Sequence, residues 1–301
     1  MSSVADVRTR SSTPLAEQRP ATRRRVLNGG AWVFVTACFI AALVPLVLLL
    51  YFVIRKGLPY VTAHFLTHSM AFVPPNKAGG GIYHAIIGTL EQVGIATLIA
   101  VPFGLLTAIY ISEYGRGSLR TAIRFFVDVM TGIPSIVAGI FIYTFWVVGL
   151  HRGFSGFAGA LALAVLMLPI IVRSSEEMLL LVPSALREAS YALGIARWKT
   201  ILRIVLPTAS AGIITGVMLA VARVIGETAP LIVTIFNNPY INTDPFHGPQ
   251  SAMSLFVFDQ AESAYQTAID RAWAGAFTLI AVVIIVYVAA RLLSRRNGLT
   301  R

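Results

Sequence analysis

Charge is what this chain of 301 residues has least of. Asp, Glu, Lys and Arg make up 12% of it, about half the ~25% usual for a soluble domain. With 56% hydrophobic residues and a mean hydropathy of +0.76, the chain lacks the polar surface that a water-soluble core requires. The composition is that of a polytopic membrane protein, all-α in class. Cysteine is nearly absent. Cys38 stands alone inside the first apolar run, so an internal disulfide is excluded, and no Cys/His spacing suits a metal. It reads as a small apolar packing residue. Also missing are G-x-x-x-x-G-K-[ST], HExxH, GxSxG and any paired catalytic carboxylates. The chain therefore has no P-loop of its own, and no catalytic or metal-binding residue is assigned.

What is present is a set of apolar runs. The first, 31–54, would be about 36 Å long at ~1.5 Å per residue, enough to cross a ~30 Å hydrocarbon core. Arg23-Arg24-Arg25 before it resembles a signal-peptide n-region, but the run is too long for an h-region and no small-residue cleavage site follows. Further runs at 85–111, 129–149, 157–172, 208–235 and 272–293 make six expected transmembrane helices. They leave an Arg-rich N-terminal tail, 1–30, expected to be mobile, and a short C-terminal tail, 294–301. Segments 55–84 and 236–271 read as loops on the far side. Lys and Arg total 24 against 13 Asp and Glu. Eighteen of the basic residues fall in the tails, at Arg291 near the end of the last run, and in the stretches 112–128 and 173–207, and five fall on the opposite side. This asymmetry predicts both termini in the cytoplasm. The basic balance thus reports membrane orientation and calls for no nucleic acid. Pro45, Pro102, Pro134, Pro169 and Pro230 lie inside expected spans, where each frees a backbone carbonyl and bends its helix.

Two features carry function. Pro183 to Pro207 reads as a helix–Gly–helix elbow. Ser184 is the expected N-cap, Leu186, Ala189 and Leu193 share one side, and Gly194 ends the first helix. Ile195, Trp198, Ile201, Leu202 and Val205 then form an apolar stripe. The elbow is too short and too charged to span, so it lies against something cytoplasmic: another protein, or lipid headgroups. The second feature is Arg223 with Glu227 in the fifth run. An ionisable residue at mid-bilayer costs ~2.5–3.5 kcal/mol, so it should face the bundle interior. On the expected inner side lie Gly212, Gly216, Leu219, Arg223, Gly226 and Pro230; Ile214, Met218, Val221, Ile225 and Ile232 lie opposite, toward lipid. From the residues alone two readings stand. The pair neutralises itself, or Arg223 offers its guanidinium fork to an oxyanion. Glu91 is expected in a polar contact within the bundle, and Asp128 in an interfacial pair with Arg124. His64, His68, His84, His151 and His247 are expected to be solvated.

The elbow resembles the EAA loop of ABC-importer permeases. Glu188-Ala189-Ser190, Gly194, Ile204 and Leu206-Pro207 fall in its register, with Ser190 replacing the second Ala. Pro169 to Leu179, Tyr191 to Gly194, Ala222 to Pro230 and Ala272 to Gly275 resemble the PstA-type permeases of the bacterial phosphate-specific transport system, a binding-protein-dependent type I importer family. The likeness covers roughly residues 30–293. It implies a type I permease fold in the inner membrane and a coupling loop over 174–207 that docks through Glu188, Ala189 and Gly194. It implies a phosphate pathway that includes Arg223 and, with a helix-end anchor as the alternative, Arg173. Implied partners are a cytoplasmic ATPase dimer that binds the ATP-Mg, a sister permease (PstC-type), an extracytoplasmic phosphate-binding protein and the lipid bilayer. This chain itself would hold no cofactor. Sulfate or molybdate remains the alternative cargo. An ion-coupled secondary transporter or a membrane scaffold leaves the elbow or Arg223 unexplained.

Overall fold

The computed structural model describes residues 22–298, and every regular element among them is helical. The expected mobile tail lies outside the described residues up to residue 21, as does the C-terminal tail from 299. Residues 22–30, assigned to the tail by their charge, already belong to helix α1 (Thr22–Gly57). The chain divides into two compact units inside this helix, at Phe52 and Val53. The first unit is described as a single apolar helix, on which Cys38 is exposed rather than packed.

The second unit takes in the end of α1 and continues with a short α2 (Ala63–Thr67), then α3 (Tyr83–Ile109), which runs on through a π-helical turn, Tyr110–Tyr114. The stretch expected as the loop 112–128 is mostly α4 (Gly117–Gly132). At Pro134 the chain bends by 104° into α5 (Ser135–Ile142), extended by a second π-helical segment, Tyr143–Gly149. The expected span 129–149 is therefore two helices. A proline carries no N–H and tolerates a helix start best, so the break falls there. Next come α6 (Gly156–Leu180), α7 (Ser184–Ala192), α8 (Arg197–Thr200) with a third π-helical turn Ile201–Val205, and α9 (Leu206–Ile225). The expected span 208–235 is also broken: Pro230 lies at the start of α10 (Ala229–Thr234). Then follow α11 (Met253–Ala261) and α12 (Gln266–Gly298). Among the described residues five helices are long and apolar enough to cross a bilayer, or six if the bent α4–α5 pair counts as one span.

Lipid tails are as apolar as leucine, so helices in a membrane associate through close packing of small residues. In α3 the buried positions recur every fourth residue: Gly88, Gln92, Ala96, Ala100, Gly104, Ala108. This stripe packs along α6, whose buried face carries Ala158, Gly159, Ala160, Ala162 and Ala164. Side-chain carbons of Ile171 occupy the space over Gly104. α9 lies on the other part of α6, α11 on α12, and α10 on α5, where Gly139 meets the Pro230 backbone.

The connections are ordered by side-chain-to-backbone bonds. Arg271 is buried, not solvated as an outer loop charge would be. Its guanidinium donates to the carbonyls of Lys77 (2.7 Å), Gly79 (3.3 Å) and Pro75 (3.0 Å) and to Gln260 Oε1 (2.9 Å). Gln250 reaches between α3 and α6 over Gly88 and Gly156. It accepts from Gln92 Nε2 (2.8 Å) and donates to Glu91 Oε2 (2.5 Å), which supplies the polar contact expected of Glu91. In the segment before it, Asp244 accepts from the Phe246 backbone N–H and from His247, which hold its carboxyl below the usual range. Asp259 is half-buried beside Asn237, and burial pushes its carboxyl up. His84 departs from expectation: it is buried, edge-on to Phe256 at 5.8 Å.

Replacing Arg271 by Gln should free three carbonyls at a cost of about 2 kcal/mol. Trypsin cleavage after Lys77 should accelerate about tenfold or more. An unchanged cleavage rate would mean that other contacts hold this loop.

Candidate functional site

The elbow forms as a turn between two short helices. α7 starts after Pro183, which occupies the N-cap place; Ser184 is its first residue and makes no capping bond. Its C-terminus closes as a Schellman motif: Gly194 N–H donates to the Tyr191 carbonyl (2.9 Å) and Ile195 N–H to the Ser190 carbonyl (3.2 Å). Gly194 has φ +73° and open space around its Cα. Its backbone angle, rather than lack of room, therefore demands glycine.

Ser190, the departure from the EAA pattern, is buried. Its hydroxyl shares a 2.7 Å hydrogen bond with the Thr200 hydroxyl of α8. The two limbs of the elbow are pinned together where an alanine would leave Thr200 with a single long bond to the Ala196 carbonyl (3.4 Å). Glu188, Ala189, Leu186, Trp198 and Leu193 are exposed, Leu193 by 79%. The apolar stripe expected on the second limb is split. Ile201 and Val205 are buried, while Trp198 and Leu202 face outward, because the π-helical turn 201–205 adds a residue to the turn. Ile204, Leu206 and Pro207 carry the chain from this turn into α9 and are partly buried.

The elbow thus feeds directly into the helix that bears Arg223. Two corrections concern that residue. It lies in the last turn of α9, at a helix break, and not in the middle of one continuous span. Glu227 sits beyond the break, between α9 and α10. Second, the face of α9 that carries it is turned outward. The Arg223 side chain is 62% exposed and that of Glu227 18%, while Val221 and Ile225, expected toward lipid, are buried in the core shared with α3 and α12. Gly212 and Gly216 pack on Met178 and Ser174 of α6; Leu219 and Gly226 are exposed with Arg223.

Arg223 Nε lies 3.6 Å from Glu227 Oε1. An i,i+4 pair is worth ~0.2–0.5 kcal/mol, several-fold below the ~2.5–3.5 kcal/mol cost of placing an arginine in hydrocarbon. Glu227 therefore does not account for Arg223 by itself. The charge needs water, a partner surface or an anion.

Arg173 has a different setting. It pairs with Asp128 of α4 and, at 3.6 Å, with Glu176 Oε2, while Arg124 Nε donates to Glu176 Oε1 at 2.7 Å. The pair expected within α4, Arg124 with Asp128, is thus replaced by four charges bridging α4 and α6. α6 and α9 run antiparallel, with Ser174 opposite Gly216 and Met178 opposite Gly212. Arg223 then sits near the level of Met167. Arg173 is displaced from that level by about 9 Å along the axis at ~1.5 Å per residue, and its ion-pair partners are Asp128 and Glu176 where that of Arg223 is Glu227.

The site contains residues that pattern reasoning passed over. Glu113, at the end of the α3 extension, is buried against Arg187 of α7. Arg187 counts in the sequence only as one more basic residue, and the single available signal was its place directly before Glu188. Among the described residues no cluster of His, Cys, Asp or Glu could hold a metal ion.

Residues 100–298 match the family described as the binding-protein-dependent transport system inner membrane component. The chain is similar to the phosphate transport system permease protein PstA 1 of Mycobacterium tuberculosis H37Rv, 47% identical over 277 residues, covering 91% of this chain and 90% of that protein. It is similar also to the phosphate transport system permease protein PstA of Xylella fastidiosa Temecula1, 40% identical over 286 residues, covering 94% and 97%. Among solved structures, a bacterial alginate ABC transporter in complex with its alginate pentasaccharide-bound periplasmic protein superposes with TM-score 0.67 over 91% of this chain and 96% of that one, at 17% identity. The MetNI methionine ABC transporter in an inward facing conformation does so with TM-score 0.57 over 73% and 95%, at 20% identity. These two likenesses speak for the fold alone, that of ABC importer permeases.

Replacing Gly194 by Ala would place a Cβ at positive φ, a cost of about 1–2 kcal/mol. Amide exchange at residues 194 and 195 should quicken about fivefold or more as the Schellman bonds weaken. Exchange at the wild-type rate would show that the turn is not limited by this angle.

Proposed function

This chain belongs to the binding-protein-dependent inner-membrane transport components and, within them, to the PstA phosphate permeases, and on that premise we propose that α9 and the α7–α8 elbow are the two working parts of an ATP-driven phosphate importer. The chain is a multi-pass inner-membrane permease subunit of a phosphate ABC importer, not an enzyme. ATP is bound and hydrolysed by a partner ATPase, and an extracytoplasmic binding protein delivers the phosphate. Both termini and the elbow lie in the cytoplasm, in line with the eighteen basic residues on that side.

In this reading a nucleotide-driven ATPase dimer seats the elbow in a groove. Glu188, Ala189 and the Gly194 turn present the contact, and exposed Leu186, Leu193 and Trp198 supply the apolar area. Closure of the ATPase then moves α8, its π-helical turn and α9 as one continuous rod.

Arg223 stands where α9 gives way to α10. Broken backbone at membrane depth is tolerated where protein covers it or where it lines a water-filled cavity. An outward-facing arginine beside such a break belongs on the pathway, covered from the other side by a sister permease. Its guanidinium fork presents paired donors to phosphate oxygens. Glu227 holds the fork when no anion is bound, at a distance (3.6 Å) that a phosphate oxygen can outbid. Arg173 is engaged by two carboxylates and takes part as a brace between α4 and α6. The observation that carries the reading is the exposure of Arg223 on an otherwise apolar span.

Loss of one charge-assisted contact costs ~1.5–3 kcal/mol. Phosphate uptake by Arg223→Gln, in cells lacking other phosphate carriers, should accordingly fall tenfold or more at equal membrane abundance, with unlabelled phosphate, not sulfate or molybdate, competing in wild type. Full-rate uptake would remove Arg223 from the pathway. Separately, Glu188→Arg should abolish co-purification of the ATPase subunit, and retention of the ATPase would remove the elbow from the docking surface.

A further inference from the structure

Arg187 stands one residue before Glu188 but reaches the other way, into the protein. Its Nε and Nη2 donate to Glu113 Oε1 at 3.1 and 2.7 Å, Nη1 to the Val182 carbonyl at 2.6 Å and Nη2 to the Leu179 carbonyl at 2.8 Å. Leu179 lies in the last turn of α6, where carbonyls have no partner within the helix. Glu113 lies in the π-helical turn that ends α3. One guanidinium therefore joins α7 to the ends of the two helices that form the centre of the second unit. Both members are enclosed: 4% of the Glu113 side chain and 19% of that of Arg187 are exposed.

The neighbouring residue of the same turn holds the other limb. The Arg197 guanidinium of α8 sits 4.8 Å over the Tyr114 ring. Ser190 and Thr200 fasten the two limbs to each other. The elbow is thus one rigid piece resting at two points on a single π-helical turn, and Arg187–Glu113 is the enclosed, multiply bonded one.

We propose that Arg187, held by Glu113, is a positioning residue that carries movement of the elbow into α3 and α6, so that ATP hydrolysis and opening of the pathway stay in step. The proposal rests on the reading of the elbow as the ATPase-docking surface. Four bonds tie α7 to the end of the α3 extension, to the last turn of α6 and to the link between α6 and α7. Without them, a push on α7 reaches α6 directly only through the three-residue link 181–183, and reaches α3 only through α6. A lysine keeps the charge but has no fork, and cannot hold a carboxylate and two carbonyls at fixed angles.

The test uses the assembled transporter in proteoliposomes, with phosphate uptake and ATP hydrolysis measured on the same preparation. Arg187→Lys should assemble with the ATPase and hydrolyse ATP within about twofold of wild type, yet move about fivefold fewer phosphates per ATP. A merely structural role would lower the amount of complex and leave that ratio alone, so a wild-type ratio overturns the proposal. Should Arg187→Lys fail to accumulate, Glu113→Gln decides in the same way, since it keeps the arginine, both carbonyls and an acceptor oxygen in place. A wild-type preparation that contains no ATPase would instead overturn the docking reading, which separates the two failures.

Discussion

A hydrocarbon interior does not solvate charge, and much of this structure answers that constraint. Ionised side chains near the helix ends are matched across elements: Arg187 with Glu113, and Arg124 and Arg173 with Glu176 and Asp128. The matching ties α7 to α3 and α4 to α6. Removing one partner of an enclosed pair leaves an unpaired charge and costs ~3–5 kcal/mol. The Arg187–Glu113 pair is enclosed on both sides and holds the start of α7 to the end of α3, whereas Arg173 and Asp128 are exposed and that pair contributes little. Arg223 is matched differently. Its loose pair with Glu227 does not offset its place on an apolar helix, and the proposed role on the pathway accounts for that imbalance.

The same lack of water governs the backbone. Helices meet along small residues because no hydrophobic drive separates them from lipid, and they break where another element can satisfy the freed groups. α9 stops at Ile225, and the Ser254 hydroxyl donates to the Glu227 carbonyl at 2.8 Å, meeting part of that demand. Three π-helical segments add to the pattern. Two of them, at 110–114 and 201–205, lie where the elbow leans on α3 and where it passes into α9. In the proposed coupling, movement of the elbow would reach the membrane helices through these two turns.

The elbow was legible because it is local. A helix, a glycine turn and a second helix are fixed by residues within about twenty positions of one another, so Glu188, Gly194 and Pro207 stand in their pattern before any fold is known. Arg223 was legible as a misfit of charge in an apolar run. Its surroundings were not. In water the apolar face of a helix points to the core, but in a bilayer both faces are apolar, and the periodicity of α9 did not say which one packs. Val221 and Ile225 went inside and Leu219 and Arg223 outside because the inner side was taken by α3, α6 and α12. Gly88 and Gly156 likewise gave no sign that Gln250, far away in the chain, would fill the space over them.

By itself the amino-acid order determined an all-helical membrane chain, the number of its apolar runs to within one bent pair, and the elbow. Those properties depend on composition and on neighbours in the sequence. The tertiary structure alone decided which prolines bend a helix and which begin one, which carboxylate each arginine meets, and where Arg223 faces. Each of these depends on what lies beside a residue once helices distant in the chain have packed.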